Sequence, residues 1–387
     1  MTLLYYIKMK VVLAIDSFKG SLSSVEAEDA ARLAIKEIYP ESDVVSLPVS
    51  DGGEGMMQAL SSTLRGRFFT VKAHDPLTRP VEAKYFVSYE GTAVIEMAEV
   101  SGLTLLQHDE RNPLKTTTYG TGELIADALN KGCRKFIIGI GGSATNDAGL
   151  GMMEALGARL YAEHQERLAA CGENLEKIVE IDLTVLHPAL KESSFEIACD
   201  VSNPFCGPEG AARVFAPQKG AAAEQVERLE SGMNHVASII NLTTGVDVKD
   251  IPGAGAAGGI GGAFIAFFKA RLRSGIDLIL DAVHLESYLE TADLVITGEG
   301  RADRQTLMGK VPSGVLKRAQ KHDVPVVLIA GLVEDGRLLK EAGFSEVIEV
   351  TPHSQSLSEA MQPEIARKNI KGALTSILIA QNFYLFG

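Results

Sequence analysis

Three segments carry the side chains from which a phosphate-handling site could be assembled: DSFKGSLS at 16–23, DGGEG at 51–55 and TGEGRADRQTLMGK at 297–310. In the first, Gly20 lets the backbone approach a ligand and Lys19 brings a mobile cation suited to a phosphate or carboxylate. Ser21 and Ser23 are placed to cap a following helix, and Ser17 and Ser21 are also candidate ligand contacts. In the second, Asp51 and Glu54 fall within one turn on a backbone bared by Gly52 and Gly53. That suits a magnesium ligand or a base that takes a hydroxyl proton. In the third, Glu299, Arg301, Asp303 and Lys310 mix both signs after Gly298, as needed where a metal-bound triphosphate and an anionic acceptor are held together. Each motif also has a plainer reading: a helix cap with a surface lysine, a loop-to-helix turn with acidic first residues, and a solvated charged loop.

Two further stretches stand apart. GIGGSATNDAG at 139–149 offers the amides of Gly141 and Gly142, the hydroxyls of Ser143 and Thr145, and the side chains of Asn146 and Asp147 as donors and a metal contact. It also spells G-x-G-x-x-A with Glu163 downstream, which keeps a dinucleotide-binding oxidoreductase open. A second match, Gly253-x-Gly255-x-x-Gly258, has no apolar strand before it, so the pattern is cheap in this glycine-rich chain. The polar, proline-fixed segment 199–221 offers Asp200, Asn203 and Lys219 either as ligand contacts or as parts of a rigid connection. No Walker A sequence occurs, nor the H-R-D and D-F-G pair of protein kinases.

These motifs need a scaffold. Apolar runs read as buried parallel strands at 11–15, 43–47, 135–140, 294–297, 324–330 and 346–350, and helical periodicity fills 25–38, 123–131, 221–240 and 314–322. The pattern says α/β. Around 76–100 it breaks, because 81–87 and 93–97 flank Tyr89-Glu90-Gly91 as a hairpin would. The segments 1–75 and 291–387 are therefore expected to share one domain built on a five-stranded parallel sheet, with 76–290 inserted as a second α/β domain. The three charged motifs follow strand ends in that sheet, where open parallel sheets bind ligands.

Composition narrows the classes. At 387 residues the chain exceeds the roughly 250–300 at which one core stops growing, so two domains are the starting point. The net charge of −13 argues against nucleic acid as the main partner and makes local placement of cations important. Apolar stretches such as 263–268 and 324–332 fall short of the roughly 20 residues of a membrane span. The first eight residues lack signal-peptide features, and Met9 could itself be a start, so they stay outside the fold argument. Four cysteines without C-x-x-C spacing suggest neither zinc nor a disulfide framework and fit a reducing cytoplasm.

Taken in order, DSFKGSLS, PVSDGGEG, IEMAEVSGL, YGTGELI, GIGGSATNDAG, CDVSNPFCGP, FAPQKGA, GAGAAGG and TGEGRADRQT resemble the bacterial type I glycerate kinase family, from about Met9 almost to the C-terminus. Small departures occur at Ser50, Met56 and Ala148, none at a charged candidate. The resemblance implies a flavodoxin-like domain interrupted by a second α/β domain, with D-glycerate phosphorylated by ATP and magnesium in the cleft between them. It further implies a role in glyoxylate, glucarate or serine-linked metabolism and 2-phosphoglycerate as product, with 3-phosphoglycerate left open. On this reading Lys19 and Arg301 hold the acceptor carboxylate or the migrating phosphoryl group. Asp51 orients or deprotonates the hydroxyl, and Glu54, Glu299 and Asp303 are magnesium partners. Ser143, Thr145, Asn146 and Asp147 face nucleotide or acceptor. Neither nucleic acid nor membrane is an expected partner, and a homodimer is compatible. A metabolite-binding regulator on the same fold is the non-catalytic rival.

Overall fold

A central parallel strand is buried on both faces and so reads as a continuous apolar run; KVVLAI does this, buried from Val11 to Ile15. In the computed structural model, which describes residues 8–52 and 55–380, the chain runs β1 (Lys10–Ile15), β2 (Asp43–Ser46), β3 (Gly66–His74), β4 (Pro80–Ser88), β5 (Thr92–Glu96), β6 (Lys135–Gly139) and β7 (Arg159–Tyr161). It continues through β8 (Arg167–Leu168), β9 (Glu180–Asp182), β10 (Ser194–Ala198) and β11 (Arg271–Arg273), and then β12 (Leu294–Ala302), β13 (Val326–Val333) and β14 (Glu346–Glu349). Of the segments named above, residues 1–7, Gly53, Glu54 and 381–387 lie outside the described residues.

Two compact units result: Met1–Asp51 with Gln58–Leu64 and Ile276–Gly387, and Gly52–Met57 with Arg65–Gly275. The first unit holds the expected five-stranded sheet, ordered β14-β13-β12-β1-β2 and parallel throughout. Counted within the unit, this is the 2-1-3-4-5 order of flavodoxin-like folds, whose direction reverses between β1 and β12. Leu13, Ile15, Ile296 and Ile329 pack with Ala27, Ala31 and Ile35 of helix Ser24–Ile38 and with Ile370 and Leu374 of helix Pro363–Ala380. Alanines along the first helix let it approach the sheet closely, and Ser23 with Glu26 closes its N-terminus in a capping box.

The second unit carries the sheet β11-β10-β6-β5-β4-β3 and a small antiparallel sheet β8-β7-β9. The expected hairpin is present, with Phe86 opposite Val94. Both boundaries differ from expectation. β3 lies within 1–75 yet pairs with β4 from Gly66↔Ser88 to His74↔Pro80, and this ladder carries it into the second unit. Residues 276–290, expected in the insertion, belong with the first unit. The GAGAAGG loop leads into helix Ala256–Phe268 through left-handed Ala257, Gly258 and Gly259. Gly258 is required there, since a Cβ would sit 2.0 Å from the Thr145 carbonyl oxygen. No helix among the described residues is long and apolar enough to cross a membrane.

Candidate active site

Where β1 ends, the chain turns sharply. Phe18 N–H donates to the Leu22 carbonyl at 2.9 Å and Leu22 N–H to the Phe18 carbonyl at 3.0 Å, with Gly20 at φ +78°. Phe18 and Leu22 bury their side chains in the core, so Ser17 and Lys19 are left at the rim. Ser23 accepts the capping bond from Glu26 N–H. Ser21 does not cap; its buried hydroxyl has no hydrogen-bond partner among the described residues.

The end of β12 supplies the opposite wall. Gly298 is tightly packed, because a Cβ would meet Ile329 Cγ1 at 2.6 Å. Beyond it, buried Glu299 accepts from Thr306 Oγ1 at 2.6 Å and from Lys310 Nζ at 3.0 Å. Asp303 Oδ1 caps the next turn by accepting from Gln305 N–H at 2.7 Å. Arg301 Nη2 donates to Glu334 at 2.6 Å, and its Nε lies 3.6 Å from Asp303.

These strand ends enclose a cavity of about 570 Å³ whose lining residues all belong to the first unit. Lys19, Asp51 and Arg301 line it together, joined by Ser17, Ser21, Glu299 and Lys310. It therefore sits beyond the carboxyl ends of β1 and β12, at the point where the strand order reverses. Lys19 Nζ lies 3.6 Å from Asp51 with its side chain 75% exposed. A pair so solvated contributes little and leaves the cation able to move to an incoming anion.

One lining residue was not singled out by sequence reasoning. Asp16, the first residue after β1, is 7% exposed and also lines the cavity. Burial pushes its carboxyl up to about 7; the charges of Asp51 and Glu299 act in the same direction, opposed by the Ser17 amide and Lys19. The Ser17 N–H bond to Oδ1 measures 2.7 Å. A carboxyl poised near neutrality in a ligand cavity is what proton abstraction requires.

Of the carboxylates expected to hold magnesium, Glu299 and Asp303 are already bonded within the protein. Both oxygens of Glu299 are engaged, Asp303 caps a turn, and Glu54 lies outside the described residues. Among the described residues no group of three or more His, Cys, Asp or Glu side chains could hold a metal ion.

In the second unit the GGSATND loop is folded inward. Gly141 and Gly142 are exposed, but residues 143–150 are buried. Asp147 is an internal staple and not an outward contact: it accepts from Thr118 N–H at 2.7 Å, Thr118 Oγ1 at 2.8 Å, Gly149 N–H at 3.1 Å and Gly151 N–H at 3.2 Å. Burial pushes its carboxyl up, and these bonds act against that. Lys219 Nζ donates to Ser143 Oγ at 2.8 Å and to the Thr145 carbonyl at 2.7 Å. The side-chain polar atoms of Asn146 and the Thr145 hydroxyl have no hydrogen-bond partner among the described residues. In the 199–221 loop, Asp200 accepts from Gly275 N–H at 3.0 Å and Asn203 donates to the Glu209 carbonyl at 2.8 Å. Both bonds rigidify that loop. Gly52 is a close-packed turn, since a Cβ would meet Gly275 Cα at 2.5 Å.

Lys219 permits a direct stability test. Burial holds its ammonium down at about 7, against the pull of Asp147. With the folded value below the unfolded one near about 10.4, the stability present above that value is lost as pH falls through about 7. Lys219→Met is expected to flatten the rise of Tm between about pH 7 and 10; a variant whose Tm tracks the native protein across this range would contradict the assignment.

The model described as the glycerate kinase family matches residues 11–381. The chain belongs to the glycerate kinase family. Glycerate kinase of Bacillus subtilis (strain 168) is 44% identical over 97% of this chain and 100% of its own length. Glycerate 2-kinase of Escherichia coli (strain K12) is 45% identical over 92% of this chain and 93% of its own. A crystal structure assigned to glycerate kinase 2 from Salmonella typhimurium LT2 superposes with a TM-score of 0.89 at 44% identity, covering 97% of this chain and 98% of that one.

Membership of the glycerate kinase family makes this chain a phosphotransferase and decides against the oxidoreductase that the G-x-G-x-x-A spelling had kept open. In this family member the segment after β6 turns its polar side chains inward. At the first-unit cavity the cations Lys19 and Arg301 are instead exposed to solvent. The sequence signal for Asp16 was its place, directly at the end of the central strand.

Proposed function

We propose that this glycerate kinase family member transfers the γ-phosphoryl group of ATP to the 2-hydroxyl of D-glycerate in the cavity beyond β1 and β12. The observation that carries the reading is the gathering of Lys19, Arg301 and Lys310 with Asp16 around one opening at the sheet's switch point. In a chain of net charge −13, such local cations are what two anionic substrates need. Phosphoryl transfer asks mainly for positioning and charge neutralisation. Arg301 and Lys310 neutralise the migrating group, Lys19 holds the acceptor carboxylate, and Asp16 takes the proton from the attacking hydroxyl. Asp51, the earlier choice for that last role, instead pairs with Lys19 and raises the proton affinity of Asp16. Magnesium would arrive on the nucleotide phosphates, where it needs few protein ligands, and neutralise their charge. The free Cys133, Cys171, Cys199 and Cys206 fit work in a reducing cytoplasm.

Phosphorus NMR of the enzyme with ATP and D-glycerate is expected to show ADP and a 2-phosphoglycerate resonance growing together. A 3-phosphoglycerate signal would overturn the position assigned, and ATP loss without phosphoglycerate would overturn the transfer. Lys19→Ala is expected to raise KM for glycerate roughly 10- to 100-fold, the loss of a charge-assisted hydrogen bond, and to leave KM for ATP nearly unchanged. The reverse ranking would place Lys19 on the nucleotide.

A further inference from the structure

The charged wall accounts for only part of the cavity. Part of its lining is apolar: Leu332 at the end of β13, Pro352 after β14, and Leu357 and Met361 on the next short helical segment. Leu332 is 41% exposed, Leu357 73% and Met361 38%. Singly exposed apolar side chains are ordinary on a protein surface, but these three converge on one opening. Their positions are built. Ser356 caps helix Leu357–Ala360 by accepting from Glu359 N–H, which fixes Leu357 in the first turn. Glu349 accepts from Val333 N–H at 2.9 Å and ties the end of β14 to the end of β13. Gly20 leaves room for Met361, whose methyl would lie 2.8 Å from a Cβ there.

An amide pair stands beside this slot. Asn369, buried on helix Pro363–Ala380, donates from Nδ2 to Gln355 Oε1 at 2.8 Å, while the return bond from Gln355 Nε2 to Asn369 Oδ1 is stretched to 3.5 Å. Both residues line the cavity. The long return bond leaves this lining pair with one amide donor and one carbonyl acceptor of spare hydrogen-bonding capacity, the combination that reads the amino and ring-nitrogen edge of adenine.

We propose that this apolar slot, bounded by Leu332, Pro352, Leu357 and Met361 and edged by Gln355 and Asn369, is the site of the adenine ring of the nucleotide. The inference rests on the kinase reading above and adds where the base lies. Glycerate is a small, wholly polar acid with nothing to offer a wall of leucine and methionine. A nucleotide is flat and apolar at one end and polyanionic at the other, and the one cavity lining offers both kinds of partner, aliphatic side chains at Leu357 and Met361 and cations at Lys19, Arg301 and Lys310. Stacking of a base on aliphatic faces needs no backbone change, and the slot opens to solvent for entry.

The test uses adenosine, which lacks phosphates, and the full-length enzyme carrying 13C-methyl methionine, with the Met361 signal assigned through Met361→Leu. Adenosine is expected to shift the Met361 methyl resonance, as a ring stacked on it must. A Leu357→Ser, Met361→Ser variant is expected to raise KM for ATP about 10-fold or more, the loss of a buried aliphatic contact, with KM for glycerate within about twofold. Both side chains are exposed, so the fold survives the change. If the enzyme phosphorylates glycerate normally while adenosine leaves the Met361 signal in place, or while KM for glycerate rises instead, the adenine assignment is overturned and the kinase reading stands. If the native enzyme does not consume ATP with glycerate, the kinase reading itself falls.

Discussion

Arg301→Ala is expected to lower kcat by roughly 10³ to 10⁵, the range in which an arginine stabilises a phosphoryl-transfer transition state. The side chain leaves the end of β12 with 59% of its surface exposed and pairs with Glu334 and Asp303. Surface pairs of this kind contribute little to folding, so Tm should hardly change and the loss should appear in turnover. Lysine at this position keeps the charge but not the planar fork, and Arg301→Lys should recover only part of the rate. A decrease of less than about tenfold for the alanine variant would remove Arg301 from the reacting centre.

Asp16→Asn is expected to lower kcat by about 10² to 10⁴, the contribution of a positioned general base. In the native enzyme, with Asp16 pushed up to about 7, kcat/KM should rise with pH through that value as the carboxylate forms, and the asparagine variant should lose this limb. Stability must move the other way. The folded value lies above the unfolded one near about 3.9, so the native state holds its proton more tightly, and the associated stability is lost as pH rises through about 7. The asparagine variant should therefore melt above the native protein at about pH 8 and level with it near about pH 3. A variant that is both slower and uniformly less stable at every pH would point to a structural role for Asp16.

The first sheet was legible because its strands are buried on both faces, and runs such as Val11–Ile15 and the start of β12 announce themselves without reference to partners. β3 was not, since its alternation leaves Phe68 45% exposed and its assignment depends on pairing with β4 along its full length. The charged motifs were visible from their types and spacing, and Lys19, Asp51 and Arg301 do meet at one cavity. Direction was what spacing could not convey. Asp147 and Lys219 sit in loops as polar as the others, yet both point inward and are bonded there. Asp16 was hidden for the converse reason: its value as a base comes from burial beside Asp51, a property of the folded neighbourhood. Glu299 drew attention by its charge, and the bonds it accepts from Thr306 and Lys310 became visible only in the fold.

Everything turns on whether the transferring phosphoryl group sits beyond β1 and β12. A crystal structure of the enzyme with a non-hydrolysable ATP analogue and D-glycerate decides this. The account predicts the γ-phosphate between Arg301 and Lys310, with the acceptor hydroxyl within hydrogen-bond reach of Asp16. A ternary complex with its phosphates bound away from these side chains would contradict it.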